Sequence, residues 1–238
     1  MKTHARARTT KRKVLVVDDH PVVREGVALR INRESDLVVC GEAETAPAAL
    51  RNIARCLPDV VIVDLSLPNG HGLELIKDLR SQYPELPVLV FSMYDESLFA
   101  ERALRAGALG YVMKQEPPER LLEAIRTVLQ GNYYVSKKAT GAFLQNYFHQ
   151  SIGSVANLTD RELEVFQLIG QGVGTRKIAE RLGRSVKTIE THRARIMEKL
   201  SVGSASELVV HASRWVEGGP PQTAAGDARR GMGRRARG

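Results

Sequence analysis

Between residues 13 and 131 the chain switches five times from a short apolar run to an amphipathic stretch of helical period. The runs lie near 13–17, 38–43, 60–64, 88–91 and 110–113, and the helical stretches near 21–33, 46–57, 70–82, 96–106 and 117–130. Short apolar runs bounded by turns read as buried strands. A five-fold strand–helix alternation then requires a parallel sheet covered on both faces. Pro47, Pro117 and Pro118 stand near helix starts, where a missing N–H costs nothing, and Gly107 and Gly131 stand where helices stop. From 157 to 215 only helical periodicity remains. The fold class is therefore a doubly wound α/β domain with a five-stranded parallel sheet, followed by a small all-α domain.

The length of 238 residues suits two domains. The expected divisions are a basic arm over 1–12, the α/β domain over 13–131, a linker over 132–154, the helical domain over 155–216, and a disordered Arg-rich tail over 217–238. The linker is expected to hold a helical turn or more near 137–148. The tail carries Arg229, Arg230, Arg234, Arg235 and Arg237. It either adds non-specific phosphate affinity or is a solvated extension. No apolar run reaches the roughly 18 residues of a membrane span, and a strand follows the basic arm where a signal peptide would have its apolar core. No membrane association and a cytoplasmic location are expected. Cys40 and Cys56 have neither disulfide-framework nor zinc spacing and read as core thiols. The net charge of +8 is uneven: residues 14–131 hold 12 basic and 18 acidic side chains, and residues 155–216 hold 10 basic and 7 acidic. Nucleic acid, if bound, suits the second half.

Polar residues end four of the five apolar runs. Asp18 and Asp19 end the first, Asp64 the third, Ser92 the fourth and Lys114 the fifth. Ligand sites of parallel sheets form at the carboxyl ends of strands. Taken singly, each residue has an ordinary reading as a helix cap, a loop carboxylate or a surface lysine. Together they supply hard oxygen ligands of the kind Mg²⁺ prefers, beside a carboxylate able to accept a phosphoryl group. Lys114 can neutralise accumulating charge, and Ser92 can donate to a phosphoryl oxygen.

The segments VLVVDDHPVVREGV, VIVDLSLPNGHGLEL, VLVFSMYDE and AGALGYVMK resemble the receiver domain of bacterial two-component response regulators. The resemblance implies a flavodoxin-like sheet of order 2-1-3-4-5. It implies phosphorylation of Asp64 by a sensor histidine kinase, with Mg²⁺ held by Asp19, Asp64 and the Ser66 backbone carbonyl, and Asp18 acting through metal-bound water. It also implies that Ser92 and Tyr111 form a switch pair, although a strand aromatic packed on a neighbouring helix has the same sequence signature. The Lys114-Gln115 ending departs from the commoner Lys-Pro.

In the second half, helical segments near 160–171, 175–182, 186–199 and 204–215 are separated by short breaks. Thr159 and Glu162 have capping-box spacing, and Ser185 is placed to cap the segment after it. Two short helices joined by a glycine-containing turn are the helix-turn-helix signature. On a helical wheel Val186, Ile189, Ile196 and Leu200 fall on one arc, which must pack inward. Lys187, Glu190, Thr191, Ala194 and Glu198 lie opposite, with Thr188 and Arg195 beside them. Arg193 projects into the apolar arc, either reaching phosphate or pairing with Glu162 or another acid. The bland reading is a plain helical bundle.

The segment LTDRELEVFQLIGQGVGTRKIAERLGRSVKTIETHRARIMEKL resembles the LuxR-type helix-turn-helix. The two resemblances together imply the NarL/FixJ class of response regulators. They imply base contacts from Glu190, Thr191 and Ala194, with phosphate contacts from residues such as Thr175, Lys187, Thr188 and His192. Arg195 lies beside this face. They also imply double-stranded operator DNA as a ligand, homodimerisation on phosphorylation and transcriptional control in place of enzymatic turnover. With no Arg or Lys at the base-facing positions, direct readout is modest, and phosphate contacts and dimer spacing carry the rest. Two rivals remain: a Mg²⁺-dependent phosphatase or hydrolase using the same acids, and a DNA-binding protein whose receiver is a passive dimerisation module.

Overall fold

A computed structural model describes residues 10–67, 72–141 and 155–218. The strands β1 (Arg12–Val17), β2 (Leu37–Ala43), β3 (Val60–Val63), β4 (Val88–Ser92) and β5 (Gly110–Met113) alternate with the helices α1 (Pro21–Asn32), α2 (Ala46–Cys56), α3 (Gly72–Gln82), α4 (Glu96–Ala106) and α5 (Pro118–Leu129). All strand pairs are parallel, in the order β2-β1-β3-β4-β5. The period-two geometry of a strand divides the apolar runs between two cores. Val14, Val16, Ile62, Leu89 and Val112 meet Val27 and Ile31 of α1 and Ile125 and Val128 of α5. Leu15, Val17, Val61, Val63 and Val90 point the other way, to Ile53 of α2, Ile76 of α3 and Phe99 of α4. The runs are continuously apolar because both faces are covered.

The sheet order reverses at β1 and β3, and the carboxyl ends of these central strands flank the crevice where such sheets bind ligands. The start of α3 packs hard on the loop that follows β3. A Cβ at Gly72 would come within 2.4 Å of the Leu65 Cα and 2.6 Å of the Asp64 carbonyl oxygen, so only glycine fits there. The close approach fixes the backbone that carries Asp64.

The segment expected to be a linker is partly ordered against the sheet. Tyr134 N–H donates to the Leu109 carbonyl and Tyr111 N–H to the Tyr134 carbonyl, which lays Tyr134 alongside the edge strand β5. Ser136 N–H donates to the Glu96 carboxylate at the start of α4. Residues 137–141 are helical, and the rest of the expected linker helix lies outside the described residues.

The second domain opens with a 3-10 turn, Val155–Asn157, followed by α6 (Asp160–Gly170), α7 (Thr175–Arg181), α8 (Val186–Leu200) and α9 (Ala205–Gly218). The capping box at Thr159 and Glu162 is formed in both directions. Helix α9 lies so close to the end of α6 that a Cβ on Gly170 would meet the Ala212 carbonyl oxygen at 2.5 Å. It runs to Gly218, two residues into the segment read as tail. The remaining tail and residues 1–9 of the arm lie outside the described residues. Among the described residues no helix is long and apolar enough to cross a membrane.

The two domains touch. Arg102 of α4 reaches the Asp160 carboxylate at 2.9 Å and the Leu158 carbonyl at 2.6 Å, and Lys77 of α3 lies 3.4 Å from Asp160. The core that lines α3 and α4 continues into Val155, Leu158 and Leu163.

Candidate functional site

At the carboxyl end of β3 the chain leaves the sheet with Asp64 buried to 1% exposure. Its N–H donates to the Val17 carbonyl, so Asp64 is held beside the end of β1 and next to Asp18 and Asp19. Asp18 Oδ1 accepts from the His20 N–H at 2.9 Å, a turn that fixes the carboxylate before α1 begins. Lys114, just past β5, places Nζ 2.6 Å from Asp18 Oδ2 and 2.7 Å from Asp64 Oδ2. The Lys114 N–H donates to the Ser92 carbonyl, which ties the ends of β4 and β5 together. Asp18, Asp19, Asp64, Ser92 and Lys114 are thus brought into one pocket.

The electrostatics follow from burial. Desolvation raises the Asp64 pKa, the Lys114 ammonium opposes this and the Asp18 carboxylate adds to it. For Lys114, burial alone would lower the pKa, but the two carboxylates outweigh it and hold the ammonium charged. One buried cation between two carboxylates is a partial neutralisation that a second cation can complete.

Ligand atoms of Asp18, Asp19, His20 and Asp64 all lie within 4.8 Å of one another. Asp19 Oδ1 is buried and accepts no hydrogen bond, although the His20 Nδ1 atom stands 2.8 Å away. A buried carboxylate oxygen without a donor, among other hard oxygens, suits a divalent cation such as Mg²⁺. His20 is the member of this cluster that the sequence did not single out, because its neighbours Asp18 and Asp19 already explained the motif. Ser66 sits at the pocket's edge, with its N–H donating to Asp64 Oδ1 at 3.1 Å.

Ser92 is fully buried and Tyr111 is 1% exposed. The Tyr111 hydroxyl donates to the Tyr94 carbonyl at 2.9 Å and lies within reach of the Ser92 side chain. The ring is therefore already turned inward beside the hydroxyl.

Tyr94 is the residue that sequence reasoning missed. Its ring stacks on Phe99, with centroids 4.7 Å apart. Burial pushes its phenol pKa up; the Glu164 carboxylate of α6 and then Asp64 add to that, while a hydrogen bond with Ser66 opposes it. One side chain thus feels both the acidic pocket and the helical domain. No spacing rule in one sequence signals that, because Tyr94 and Glu164 belong to different domains.

Glu164 is buried at the same contact. Burial raises its carboxyl pKa to about 7, against the nearby Arg161 guanidinium and with help from Asp160 and Glu74. Arg161 Nη1 lies 2.7 Å from its Oε2.

The second candidate surface is α8. Ser185 caps it through the Thr188 N–H, and Ile189, Ile196 and Leu200 are buried as the wheel predicts. Val186, the first residue of the helix, departs from that arc and is 40% exposed. Lys187, Glu190, Thr191, Ala194 and Arg195 are exposed, and Thr175, Thr188 and His192 are half-buried beside them. Contact with the α/β domain leaves this face open. Burial lowers the His192 pKa; the Glu162 carboxylate opposes this, and the Arg195, Arg161 and Arg184 guanidinium groups add to it. Exposed Arg176, Lys177 and Arg184 extend the basic surface, a set visible in the sequence only as scattered charge. Glu162 pairs with Lys199 at 2.7 Å, which takes the place proposed for Arg193.

Comparison with known proteins agrees with both halves. Residues 14–126 match the response regulator receiver domain, and residues 156–212 match the bacterial regulatory proteins of the luxR family. The chain is a response regulator. It is 39% identical over 208 residues to the oxygen regulatory protein NreC of Staphylococcus aureus, covering 84% of this chain and 96% of that one. A LuxR-family two-component response regulator from Aurantimonas sp. superposes with a TM-score of 0.55 at 34% identity, over 59% of this chain and all of that one. RcsB of Salmonella enterica serovar Typhimurium, bound to promoter rprA with the phosphomimetic BeF3-, superposes with a TM-score of 0.60 at 28% identity, over 86% of this chain and 99% of that one. The family is one of transcription factors and not of enzymes, so the hydrolase rival falls.

Proposed function

We propose that this response regulator works in the cytoplasm, accepts a phosphoryl group on Asp64 and uses α8 to bind operator DNA. The observation that carries the proposal is Asp64 itself: buried at the end of the central strand, gripped by Lys114, and facing two further carboxylates. In this reading an Asp64 carboxylate oxygen bonds to the phosphorus of a kinase phosphohistidine, and the N–P bond breaks. Mg²⁺, held by Asp19 and Asp64 with the Ser66 carbonyl and with Asp18 through water, would offset the charge between nucleophile and phosphoryl group. Lys114 then pairs with the phosphoryl oxygens, and Ser92 donates to one of them.

The same reading gives Tyr94 the coupling role. A phosphoryl group changes the charge and hydrogen bonding around Ser66, Ser92 and Tyr94, whose far side faces Glu164. The α3–α4 contact with α6 loosens, and the helical domain becomes free to pair with a second copy on a two-fold operator. On DNA, Lys187, Thr188, Thr175 and His192 meet phosphates. Glu190, Thr191 and Ala194 meet base edges, with Arg195 beside them. RcsB bound to its promoter supports DNA as the ligand of this domain.

The test is incubation of the whole protein with acetyl phosphate and Mg²⁺, read by intact mass and peptide mapping. A single phosphoryl adduct on Asp64 is expected. Unmodified protein would support the passive-module rival.

A further inference from the structure

Cys40 and Cys56 belong to neither the phosphoacceptor pocket nor the DNA-reading face. Both are half-buried, not the core thiols their sequence suggests, and their Sγ atoms lie 2.7 Å apart. Cys40 sits in β2, one of the two edge strands of the sheet, and Cys56 is the last residue of α2.

Two backbone features bring them together. Val14 pairs with Val39 and the next residue, Leu15, pairs with Gly41, so Cys40 is the extra residue of a bulge in β2. A bulge frees one residue from the ladder and re-aims its side chain. At the other end, Leu57 closes α2 in the left-handed conformation, with φ 47°, and the Cys56 carbonyl accepts from Lys13 Nζ at 3.1 Å. The helix therefore ends with Cys56 facing the bulge and an ammonium group nearby. Asn52, one turn earlier, donates to the Glu42 carbonyl at 2.7 Å and pins the same two segments together. The sulfur atoms lie within about 0.7 Å of the length of a disulfide bond, about 2.05 Å.

We propose that Cys40 and Cys56 are a thiol pair that a peroxide oxidises to an intramolecular disulfide, a redox modification site on the edge of the receiver domain. One thiol is oxidised by hydrogen peroxide to a sulfenic acid, with the O–O bond breaking and one water leaving. The second thiol attacks that sulfur, the S–S bond forms and a second water leaves. In total two thiols and one peroxide give one disulfide and two waters, with two electrons passing to the peroxide.

The test uses the full chain, reduced and then treated with hydrogen peroxide. Intact mass is expected to fall by about 2 Da, the two thiol hydrogens, and to recover on reduction. Non-reducing peptide mapping is expected to show a Cys40–Cys56 linked pair. The bond closes a loop across positions sixteen apart. The unfolding midpoint of the oxidised receiver is expected to rise by roughly 5–10 °C. Cys40→Ser and Cys56→Ser each abolish the linked pair. Cys40→Ala and Cys56→Ala serve the same purpose if a serine variant fails to fold. Retained thiols, sulfinic acid on either residue without a linked pair, or disulfides only between molecules would each overturn the proposal.

Discussion

The phosphoacceptor pocket and the DNA-reading face of α8 are opposite solutions to positioning charge. In the pocket Asp64 and Asp18 are buried, and each is held by named partners: Asp64 by Lys114 and the Val17 carbonyl, and Asp18 by Lys114 and the His20 N–H. On α8 the candidate reading residues are exposed, and the buried arc beneath them does the holding. The pocket must fix charges before its ligand arrives, since desolvated groups cannot rearrange cheaply. The helix face need only present donors and acceptors on a rigid rod, because the ligand supplies the partners. Substitutions in the pocket should therefore behave as all-or-none or cost stability, whereas those on α8 should be graded and stability-neutral.

The largest effect belongs to the acceptor. Asp64→Asn is expected to abolish the phosphoryl adduct from acetyl phosphate, with folding kept; a remaining adduct elsewhere in the receiver would break the assignment. Next is Lys114→Ala. It leaves Asp18 and Asp64 facing each other without their cation, and should destabilise the protein by about 3 kcal/mol in urea titrations. Mg²⁺ should restore part of that loss, since a second cation can take over the neutralisation. A loss unaffected by Mg²⁺ would separate the carboxylate cluster from metal binding.

A smaller effect lies at the domain contact. The Glu164 carboxyl is raised from 4.5 to about 7 by burial. Between these values the closed form keeps its proton while an open form gives it up. Closure therefore weakens as pH rises from about 4.5 to about 7, and changes no further above that. Small-angle scattering should show the open fraction rising across this window. Glu164→Gln should flatten the dependence, and an unaltered pH profile in that variant would remove Glu164 from the contact. The smallest effect is at the surface: Lys187→Ala should leave folding unchanged and reduce the salt slope of DNA binding by about one phosphate.

Much of the fold was legible in the sequence, for a physical reason. Parallel strands buried on both faces are written as uninterrupted apolar runs, so Val60–Val63 and Val88–Ser92 sit where the runs near 60–64 and 88–91 placed them. The strand-end residues were legible because the chemistry of phosphoryl transfer demands particular side chains at fixed topological points. What was not legible depends on contacts between distant segments. The bulge at Cys40 turns two ordinary cysteines into a pair. Tyr134 joins the sheet through backbone groups alone, which leave no mark in side-chain pattern. Tyr94 and Glu164 meet across the domain boundary, and Lys199 in place of Arg193 reaches Glu162. Each of these is decided by tertiary geometry and not by local spacing.

In the proposed switch, a phosphoryl group on Asp64 releases the helical domain from α3 and α4. Small-angle scattering of the whole protein, with and without acetyl phosphate and Mg²⁺, tests it most directly. The radius of gyration of the monomer fraction should increase on phosphorylation in the wild type and stay constant in Asp64→Asn. An unchanged radius in protein shown by mass to be phosphorylated would contradict it.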